Sequence, residues 1–250
     1  MTHSHTEFRA RLGQPGTMLG TFLKIPSTQP AEILGGLGYD FAVIDEEHAP
    51  LNPETTDAIL LACRAHAMAG LVRVRQPGDI LRVLDCGADG VLVPHVASAH
   101  VAREIVSLAR YSHARGLSPT TRAGDFGATG VAEHMAAQDA RSAVIAMIED
   151  AEAIEAIGSI VATEGLDAIF VGRADLAASM GAAALDGGIE RAVDAILKTA
   201  RDAGVPALIL VSGPAEADLM RAKGATGFLT MSDQGFLRAQ AARIRDSFLS

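Results

Sequence analysis

Short apolar segments alternate with longer amphipathic segments along almost the whole chain. The apolar segments are mostly continuous runs, which is the pattern of parallel strands that are covered on both faces. They predict eight strands, at residues 20–25, 41–45, 71–75, 90–96, 143–149, 168–172, 206–211 and 227–232. The amphipathic segments predict long helices at 53–68, 98–111, 150–163, 189–204 and 232–248, and shorter ones at 30–37, 78–87 and 214–224.

This alternation predicts βαβ units and a parallel sheet. Eight strands with following helices in 250 residues match a (β/α)8 TIM barrel of the α/β class. No linker or low-complexity tract divides the chain, so we expect a single domain over residues 1–250. A doubly wound sheet is the main alternative, but its first strand should lead into a G-x-G-x-x-G turn, and residues 20–28 contain none. The longest irregular stretch, 113–130, predicts a flap over the site.

Composition narrows the range of partners. The net charge of −9 and the absence of Trp argue against binding of nucleic acid or of anionic membranes. Cys63 and Cys86 have no metal or redox spacing and are expected to be reduced core thiols. Residues 1–13 contain no apolar export signal, and no apolar run is long enough to span a membrane. We therefore expect a cytoplasmic protein that binds small molecules.

Charged side chains follow several of the predicted strands at their carboxyl ends, where barrel enzymes place their reacting groups. The strand at 41–45 runs into Asp45, Glu46, Glu47 and His48. Such a cluster is expensive to bury unless it is paired, so we expect it to lie at the mouth of the barrel. His48 is a candidate base there, or else a structural residue beside the acids.

Glu149 and Asp175 follow two neighbouring strands and can converge on one point. Two carboxylates without a partnering His or Cys suit a hard cation such as Mg²⁺ or Mn²⁺. The alternative is that Glu149 caps the next helix and Asp175 is an ordinary first-turn acid. The spacing alone does not decide between these interpretations.

Arg73 and Asp85 each require a partner. Arg73 lies inside the apolar segment LVRVR (71–75), and a buried arginine needs an anion, either a substrate oxygen or a protein carboxylate such as Glu47. Asp85 lies near the carboxyl end of a predicted helix, where an acid opposes the helix dipole. We therefore expect Asp85 to have a specific partner.

Five motifs in the same order give the chain a family resemblance. They are GYDFAVIDEEHAP, VRVRQPGDILRVLDCGADGVLVPHV, RGLSPTTRAGDFG, AMIEDAEAIEAI and GLDAIFVGRADLAASMG. With them the chain resembles, over nearly its whole length, the HpcH/HpaI aldolases, the metal-dependent pyruvate aldolases related to 2,4-dihydroxyhept-2-ene-1,7-dioate aldolase. The resemblance implies a class II aldolase that cleaves or forms 4-hydroxy-2-oxo acids from a 2-oxo acid, pyruvate or hydroxypyruvate, and an aldehyde.

The resemblance also implies a role for each matching residue. Glu149 and Asp175 would hold the divalent metal, which is Mg²⁺, Mn²⁺ or Co²⁺. His48 and Asp85 would act as a base dyad, and Arg73 would face the developing enolate. The backbone amides of Gly172, Arg173 and Ala174 would hold the carboxylate of pyruvate.

The chain departs from the family pattern at three places. Met147 stands where many members have Gln, which removes a hydrogen bond near the metal. Arg173 stands where many have Pro, which adds a charge at the mouth that can alter which aldehyde is accepted. Residues 111–119 lack the usual Y-P-P-x-G lead-in.

The resemblance further implies a homo-oligomer, a hexamer built as two trimers that exchange their last helix. The residues show only an apolar stripe on that helix, at Leu237, Ala241, Ile244 and Phe248. In a lone barrel this helix would pack against strands eight and one.

Three alternatives remain open. A Schiff-base aldolase needs a strand-end lysine, and Lys24 occupies such a position. An acyl-CoA lyase related to the citrate lyase β subunit would need basic residues for a pyrophosphate, for which Arg73, Arg75, Arg115 and Arg173 are available. A barrel without catalytic activity would serve as a binding or assembly protein.

Overall fold

A closed barrel of eight parallel strands, paired in chain order, forms the centre of the protein. The computed structural model describes residues 8–14 and 16–249. The expectation that residues 1–13 carry no export signal falls partly on residues 1–7, which lie outside the described residues. The strands are β1 Met18–Leu23, β2 Phe41–Asp45, β3 Ala69–Arg73, β4 Gly90–Val93, β5 Ala143–Ile148, β6 Ala168–Val171, β7 Ala207–Leu210 and β8 Gly227–Ser232. The predicted TIM barrel is confirmed, and the doubly wound alternative is wrong.

Helices surround the barrel, and one more covers its amino-terminal end. They are α1 Phe8–Arg11, α2 Gln29–Gly36, α3 Pro53–Ala65, α4 Ile80–Asp85, α5 Ala99–Ala109, α6 Val131–Arg141, α7 Ala151–Val161, α8 Arg173–Met180, α9 Gly188–Asp202, α10 Pro214–Lys223 and α11 Asp233–Leu249. The predicted helices did not include α1, α6 or α8. None of the helices in the described part of the chain has the length and hydropathy of a membrane span.

Side chains fill the barrel interior from its amino-terminal end. Phe8 of α1 packs on Phe41, with 5.3 Å between the ring centroids, and both belong to the interior cluster of buried residues. A Cβ atom at Gly20 would lie 2.4 Å from the Phe41 ring, so only glycine fits at that position of β1. The chemistry is therefore confined to the open, carboxyl-terminal end of the barrel.

A repeated Gly-x-Asp/Thr motif precedes the four even-numbered strands. Asp40 accepts a hydrogen bond from the Leu19 amide of β1 at 2.8 Å. The same bond recurs in the other three pairs of strands, from Gly70 N to Asp89 at 2.9 Å, from Val144 N to Asp167 at 2.8 Å and from Ala207 N to Thr226 at 3.2 Å. The glycine two residues earlier has positive φ each time, at Gly38, Gly87, Gly165 and Gly224. Gly38, Gly87 and Gly224 lie at the end of the preceding helix, whereas Gly165 follows the C-cap of α7 by three residues.

Arginines neutralise the three aspartates of this motif. Arg11 contacts Asp40, Arg141 contacts Asp89, and Arg9 and Arg110 both contact Asp167. These pairs fix the starts of the strands relative to each other. Charge at this end of the barrel therefore stabilises the fold, as is usual for the amino-terminal face of a TIM barrel.

The last helix, α11, leaves the barrel after its first turn. Asp233 is its only buried residue, and it accepts hydrogen bonds from the amides of Lys24 and Ile25. Beyond this turn the predicted apolar stripe is open to solvent, with Leu237 65% and Phe248 85% exposed. The expectation that the helix packs along strands eight and one in a lone barrel is therefore wrong beyond the first turn.

Candidate active site

A cavity of about 680 Å³ opens at the carboxyl-terminal end of the barrel. Its wall includes most of the predicted site residues, namely Lys24, His48, Arg73, Gly172, Arg173, Ala174 and Asp175. The remaining wall is mainly apolar and includes Phe22, Met147, Phe170, Ile189, Leu210 and Met231. A cavity of this size holds a small organic acid together with a second small molecule.

Asp45 and Arg73 form a buried ion pair at the floor of this cavity. The two residues are partners in the register of β2 and β3, so their side chains emerge side by side. Nε and Nη2 of Arg73 donate to the two Asp45 oxygens at 2.9 and 2.7 Å, and Lys24 Nζ lies 3.1 Å from Oδ2. Burial by itself raises the pKa of Asp45, but Arg73, the His48 amide and Lys24 outweigh it and lower that pKa.

Glu47 extends the charge network toward the mouth. Arg73 Nη1 lies 3.2 Å from Glu47, so the ion pair that the sequence suggested for Arg73 is present, although the bidentate pair with Asp45 is the closer one. His48 Nε2 lies 3.7 Å from the same carboxylate, and the His48 ring is largely exposed in the cavity. These contacts place an imidazole and a guanidinium around one carboxylate.

Glu149 is buried directly after β5. One of its oxygens accepts a hydrogen bond of 2.9 Å from the His95 amide, and His95 has a left-handed backbone with φ 57°. Burial raises the pKa of Glu149. The hydrogen bond and the charge of His95 lower that pKa, and the negative charges of Glu47 and Asp175 raise it. The helix-capping interpretation of Glu149 is wrong, because Asp150 occupies the N-cap of α7.

The turn between β6 and α8 brings Asp175 close to Glu149. Gly172 starts this turn, and a Cβ atom there would lie 3.0 Å from the Glu149 carboxylate and from the Met147 side chain. Asp175, in the first turn of α8, is exposed and forms no hydrogen bond or ion pair within the described residues. The Gly172 amide donates to the Ile148 carbonyl at 3.0 Å, so of the three predicted amides those of Arg173 and Ala174 remain to favour an anion at the same place.

The two carboxylates suit a divalent cation. Burial raises the pKa of Glu149, and the nearby charge of Asp175 adds to this effect; a cation between the two acids would stabilise both in their charged form. No group of three or more His, Cys, Asp or Glu side chains in the described ranges is arranged to hold a metal. Water or substrate oxygens would therefore complete the coordination of an ion held by Glu149 and Asp175.

Arg173 is fixed at the rim of the cavity. Its Nη1 donates to Glu216 at 2.6 Å and its Nη2 donates to the Leu210 carbonyl at 2.6 Å. Arg173, together with the amide and hydroxyl of Ser212, lowers the pKa of Glu216 to about 2. The charge that distinguishes this chain from the family pattern is therefore ordered and faces the cavity.

Asp85 lies outside the cavity, at the carboxyl end of α4. Its carboxylate accepts a hydrogen bond of 3.2 Å from Arg115, which supplies the specific partner that the sequence predicted. Burial raises the pKa of Asp85, and Arg115 opposes that effect. Within the described chain no hydrogen bond joins Asp85 to His48, so the dyad remains a prediction.

The expected flap is not found over the cavity. Residues 113–130 connect α5 to α6 and so precede β5, on the side of the barrel away from the βα loops. Arg122 fixes the segment to α3 through two bonds to Asp57, of 3.0 and 2.7 Å. None of its described residues lines the cavity.

The positions of the basic residues weaken the acyl-CoA alternative. Arg75 donates to the carbonyls of Glu46 and Leu51, and the Arg115 side chain is fully buried. Neither lines the cavity, so only Arg73 and Arg173 of the four candidate arginines are available there. The two cysteines are free thiols, as predicted.

A TIM barrel whose open end combines two neighbouring acids, a helix N-terminus and a buried arginine is typical of an enzyme that acts on a small molecule. Comparison with known proteins narrows this class. The profile of the HpcH/HpaI aldolase/citrate lyase family matches residues 18–238. The chain belongs to this family, and with it to the carbon–carbon lyases.

Individual relatives cover nearly the whole chain. The 5-keto-4-deoxy-D-glucarate aldolase of Shigella dysenteriae serotype 1 (strain Sd197) is 34% identical over 250 residues, which cover 97% of this chain and 96% of the relative. A solved HpcH/HpaI aldolase/citrate lyase family protein from Burkholderia cenocepacia J2315 is 30% identical, with a TM-score of 0.89 and coverage of 98% and 100%. The citrate synthase SbnG is 32% identical, with a TM-score of 0.88 and coverage of 98% of both chains.

Proposed function

We propose that this protein is a divalent-metal-dependent class II aldolase that cleaves or forms 4-hydroxy-2-oxo acids through the enolate of pyruvate or hydroxypyruvate. The observation that carries the proposal is the pair of neighbouring acids at the open end of the barrel. Asp175 lines the same cavity as Arg73, and Glu149 is close enough for the Asp175 charge to add to the effect of burial in raising its pKa. The relatives named as aldolases support the same reaction class.

Each side chain has a task in this reaction. Glu149 and Asp175 would hold Mg²⁺, Mn²⁺ or Co²⁺, which supplies a Lewis acid for the 2-oxo group. The amides of Arg173 and Ala174 at the start of α8 bind the substrate carboxylate. Arg73, oriented by Asp45, stabilises the negative charge of the enolate oxygen.

His48 is the candidate for proton transfer, because its exposed ring lines the cavity. It would take the proton from the 4-hydroxyl group during cleavage and return it during addition. The pairing of His48 with Asp85 stays a prediction, since Asp85 is engaged by Arg115 within the described chain.

Exchange of the pyruvate methyl protons in D₂O, followed by NMR without any aldehyde, tests enolate formation directly. We expect exchange that requires a divalent metal and is lost with EDTA. Glu149→Gln and Asp175→Asn should each lower exchange at least about 100-fold and weaken metal binding in calorimetry. Glu155→Gln, on the exposed side of α7, is the matched control; wild-type exchange in either site variant would overturn the metal assignment.

The Schiff-base alternative depends on Lys24. A Schiff base requires a free neutral amine, whereas Lys24 Nζ lies 3.1 Å from the buried Asp45 carboxylate. This ion pair favours a structural and electrostatic role for Lys24. Covalent trapping of pyruvate by borohydride would reverse that conclusion.

A second candidate function, condensation or cleavage of an acyl-CoA, is favoured by one observation, the similarity to the citrate synthase SbnG. Thermal-shift measurements with pyruvate and with acetyl-CoA separate the two functions. Stabilisation by acetyl-CoA alone would favour the second.

We also propose a homo-oligomer, as a hexamer with exchange of α11. The support is the uncovered apolar stripe of α11, in which Leu237, Ile244 and Phe248 are all exposed. Light scattering at micromolar concentration should give a mass well above that of one chain. A monomer mass would refute the proposal.

A further inference from the structure

Lys24 follows β1 at the open end of the barrel, and its backbone is fixed there. The Lys24 amide donates to the two oxygens of Asp233 at 3.0 and 3.1 Å, and the Ile25 amide donates to the same carboxylate at 2.9 Å. Asp233 is itself buried at the start of α11. The Lys24 side chain therefore leaves the barrel at a defined point, and it lines the cavity.

The ammonium group of Lys24 has donors that the protein does not use. An ammonium carries three N–H donors, and within the described residues its polar contact is with Oδ2 of Asp45, at 3.1 Å. The Lys24 side chain is 27% exposed, whereas that of Asp45 is fully buried. The other two lysines, Lys198 and Lys223, form surface ion pairs of α9 and α10. Lys24 thus keeps donors for a ligand in the cavity.

Arg73 and Lys24 are neighbours at the cavity floor. Nη2 of Arg73 donates at 2.7 Å to the same Asp45 oxygen that Lys24 Nζ contacts. The Arg73 guanidinium also lies over the Phe22 ring, 5.2 Å from its centroid, so an apolar side chain borders the two cations. An oxygen that contacts Arg73 from the cavity is consequently within reach of the Lys24 side chain. Apolar surroundings that exclude water strengthen the stabilisation of charge on such an oxygen.

Asp45 is already paired without Lys24. Arg73 donates to both of its oxygens, at 2.9 and 2.7 Å, and a bidentate arginine matches a carboxylate fully. Glu47 lies 3.2 Å from Arg73 Nη1 and forms no ion pair with Lys24 within the described chain. The fold therefore places a second cation beside Arg73 without a carboxylate of its own, and an anion in the cavity would supply one.

We infer that Lys24 is a further catalytic residue, which donates to the enolate oxygen of the 2-oxo acid together with Arg73. The amine stays protonated and forms no covalent bond with the substrate, because its task is to stabilise the charge that develops as the proton is removed. This inference rests on the proposed aldolase function and adds a residue to the donor half of the same site.

Two measurements on Lys24→Gln test this role. Exchange of the pyruvate methyl protons in D₂O, with divalent metal and without aldehyde, should fall about 100-fold. Oxalate, a planar dianion that resembles the enolate of pyruvate, should bind about 10- to 100-fold more weakly in calorimetry, whereas the KM for pyruvate should change little. Lys24→Arg keeps the positive charge and should recover part of both losses.

Two further variants control for the fold. Lys24→Met keeps the length of the side chain without the charge and should show the same two losses. Its melting temperature should stay close to that of wild type, because Asp45 keeps both bonds from Arg73. Lys198→Gln is the matched control, since Lys198 forms an exposed pair on α9, and it should match wild type in both measurements.

The outcomes separate this inference from the proposed function. A wild type that exchanges the protons, with Lys24→Gln equal to it, refutes this inference alone. Slowed exchange with unchanged oxalate affinity would also overturn it, because Lys24 would then act only through Asp45. A wild type without metal-dependent exchange refutes the proposed function, and this inference with it.

Discussion

Replacing Asp45 by asparagine removes the buried charge on which Arg73 and Lys24 converge. Asp45 is fully buried and accepts two bonds from Arg73, of 2.9 and 2.7 Å. Asparagine keeps the shape but leaves the Arg73 guanidinium, which is 5% exposed, with Glu47 as its remaining counter-ion. Breaking a buried pair in this way costs about 3–5 kcal/mol.

A loss of that size should lower the melting temperature by roughly 6–20 °C, since one kcal/mol shifts a domain of this length by about 2–4 °C. Turnover should fall as well, by about 100-fold, because Arg73 is no longer oriented toward the enolate oxygen. Urea unfolding and steady-state kinetics on the same samples measure both effects. Asp202→Asn is the control, because Asp202 forms an exposed pair with Lys198 on α9 that contributes little.

The pH dependence gives an independent check. The folded-state pKa of Asp45 is lowered, so its contribution to stability is fully present above the unfolded pKa of about 3.9 and is lost as the pH falls below it. The stability difference between wild type and Asp45→Asn should be constant from pH 6 to 8 and should shrink in acid. A variant within about 1 kcal/mol of the Asp202→Asn control at pH 7 would refute the buried-pair interpretation.

Three further outcomes are expected. Asp167→Asn removes the charge that Arg9 and Arg110 share at the amino-terminal end of the barrel. It should lower the unfolding free energy by about 1–3 kcal/mol in urea titrations and leave kcat unchanged. An altered kcat would contradict the conclusion that charge at this end stabilises the fold and takes no part in the reaction. The pKa of Glu216 is lowered from its usual 4.5 to about 2, so its contribution to stability is present above 4.5 and is lost as the pH falls toward 2. The urea midpoints of wild type and Glu216→Gln should therefore converge between about pH 4.5 and 2, and a constant gap would count against the pair with Arg173. Leu237→Lys combined with Ile244→Lys on α11 should reduce the assembly mass in light scattering without loss of helical circular dichroism, whereas an unchanged mass would place the subunit contact elsewhere.

The sequence was sufficient to locate most of the cavity wall, because parallel strands end on the same side of a barrel. Lys24, Arg73 and Asp175 were expected at the mouth from their positions after apolar runs, and all three line the cavity. The partners of these residues were harder to predict from the sequence. Asp45 rather than Glu47 forms the bidentate bond with Arg73 because the two residues are paired in the β2–β3 register, and a sequence does not state its register.

Two other features depend on contacts between distant segments. The left-handed backbone of His95 directs its amide to Glu149, and nothing in the local sequence requires that conformation. The segment 113–130 suggested a flap by its length alone. It follows a helix, α5, and not a strand, so it lies at the end of the barrel opposite the cavity. One signal was present and was missed: the Gly-x-Asp/Thr motif recurs four times, before each even strand.

Charge is balanced differently at the two ends of the barrel, and this difference supports the position that we propose for the cation. At the amino-terminal end, Asp40, Asp89 and Asp167 each contact at least one arginine and a strand amide, so each is neutralised within the fold. At the carboxyl end, Glu149 has a raised pKa and Asp175 has no partner among the described residues. These two acids lie beside a helix N-terminus and contact no arginine or lysine in the described ranges, which supports the cation site that we propose there; the same helix end would draw a substrate carboxylate to the α8 amides.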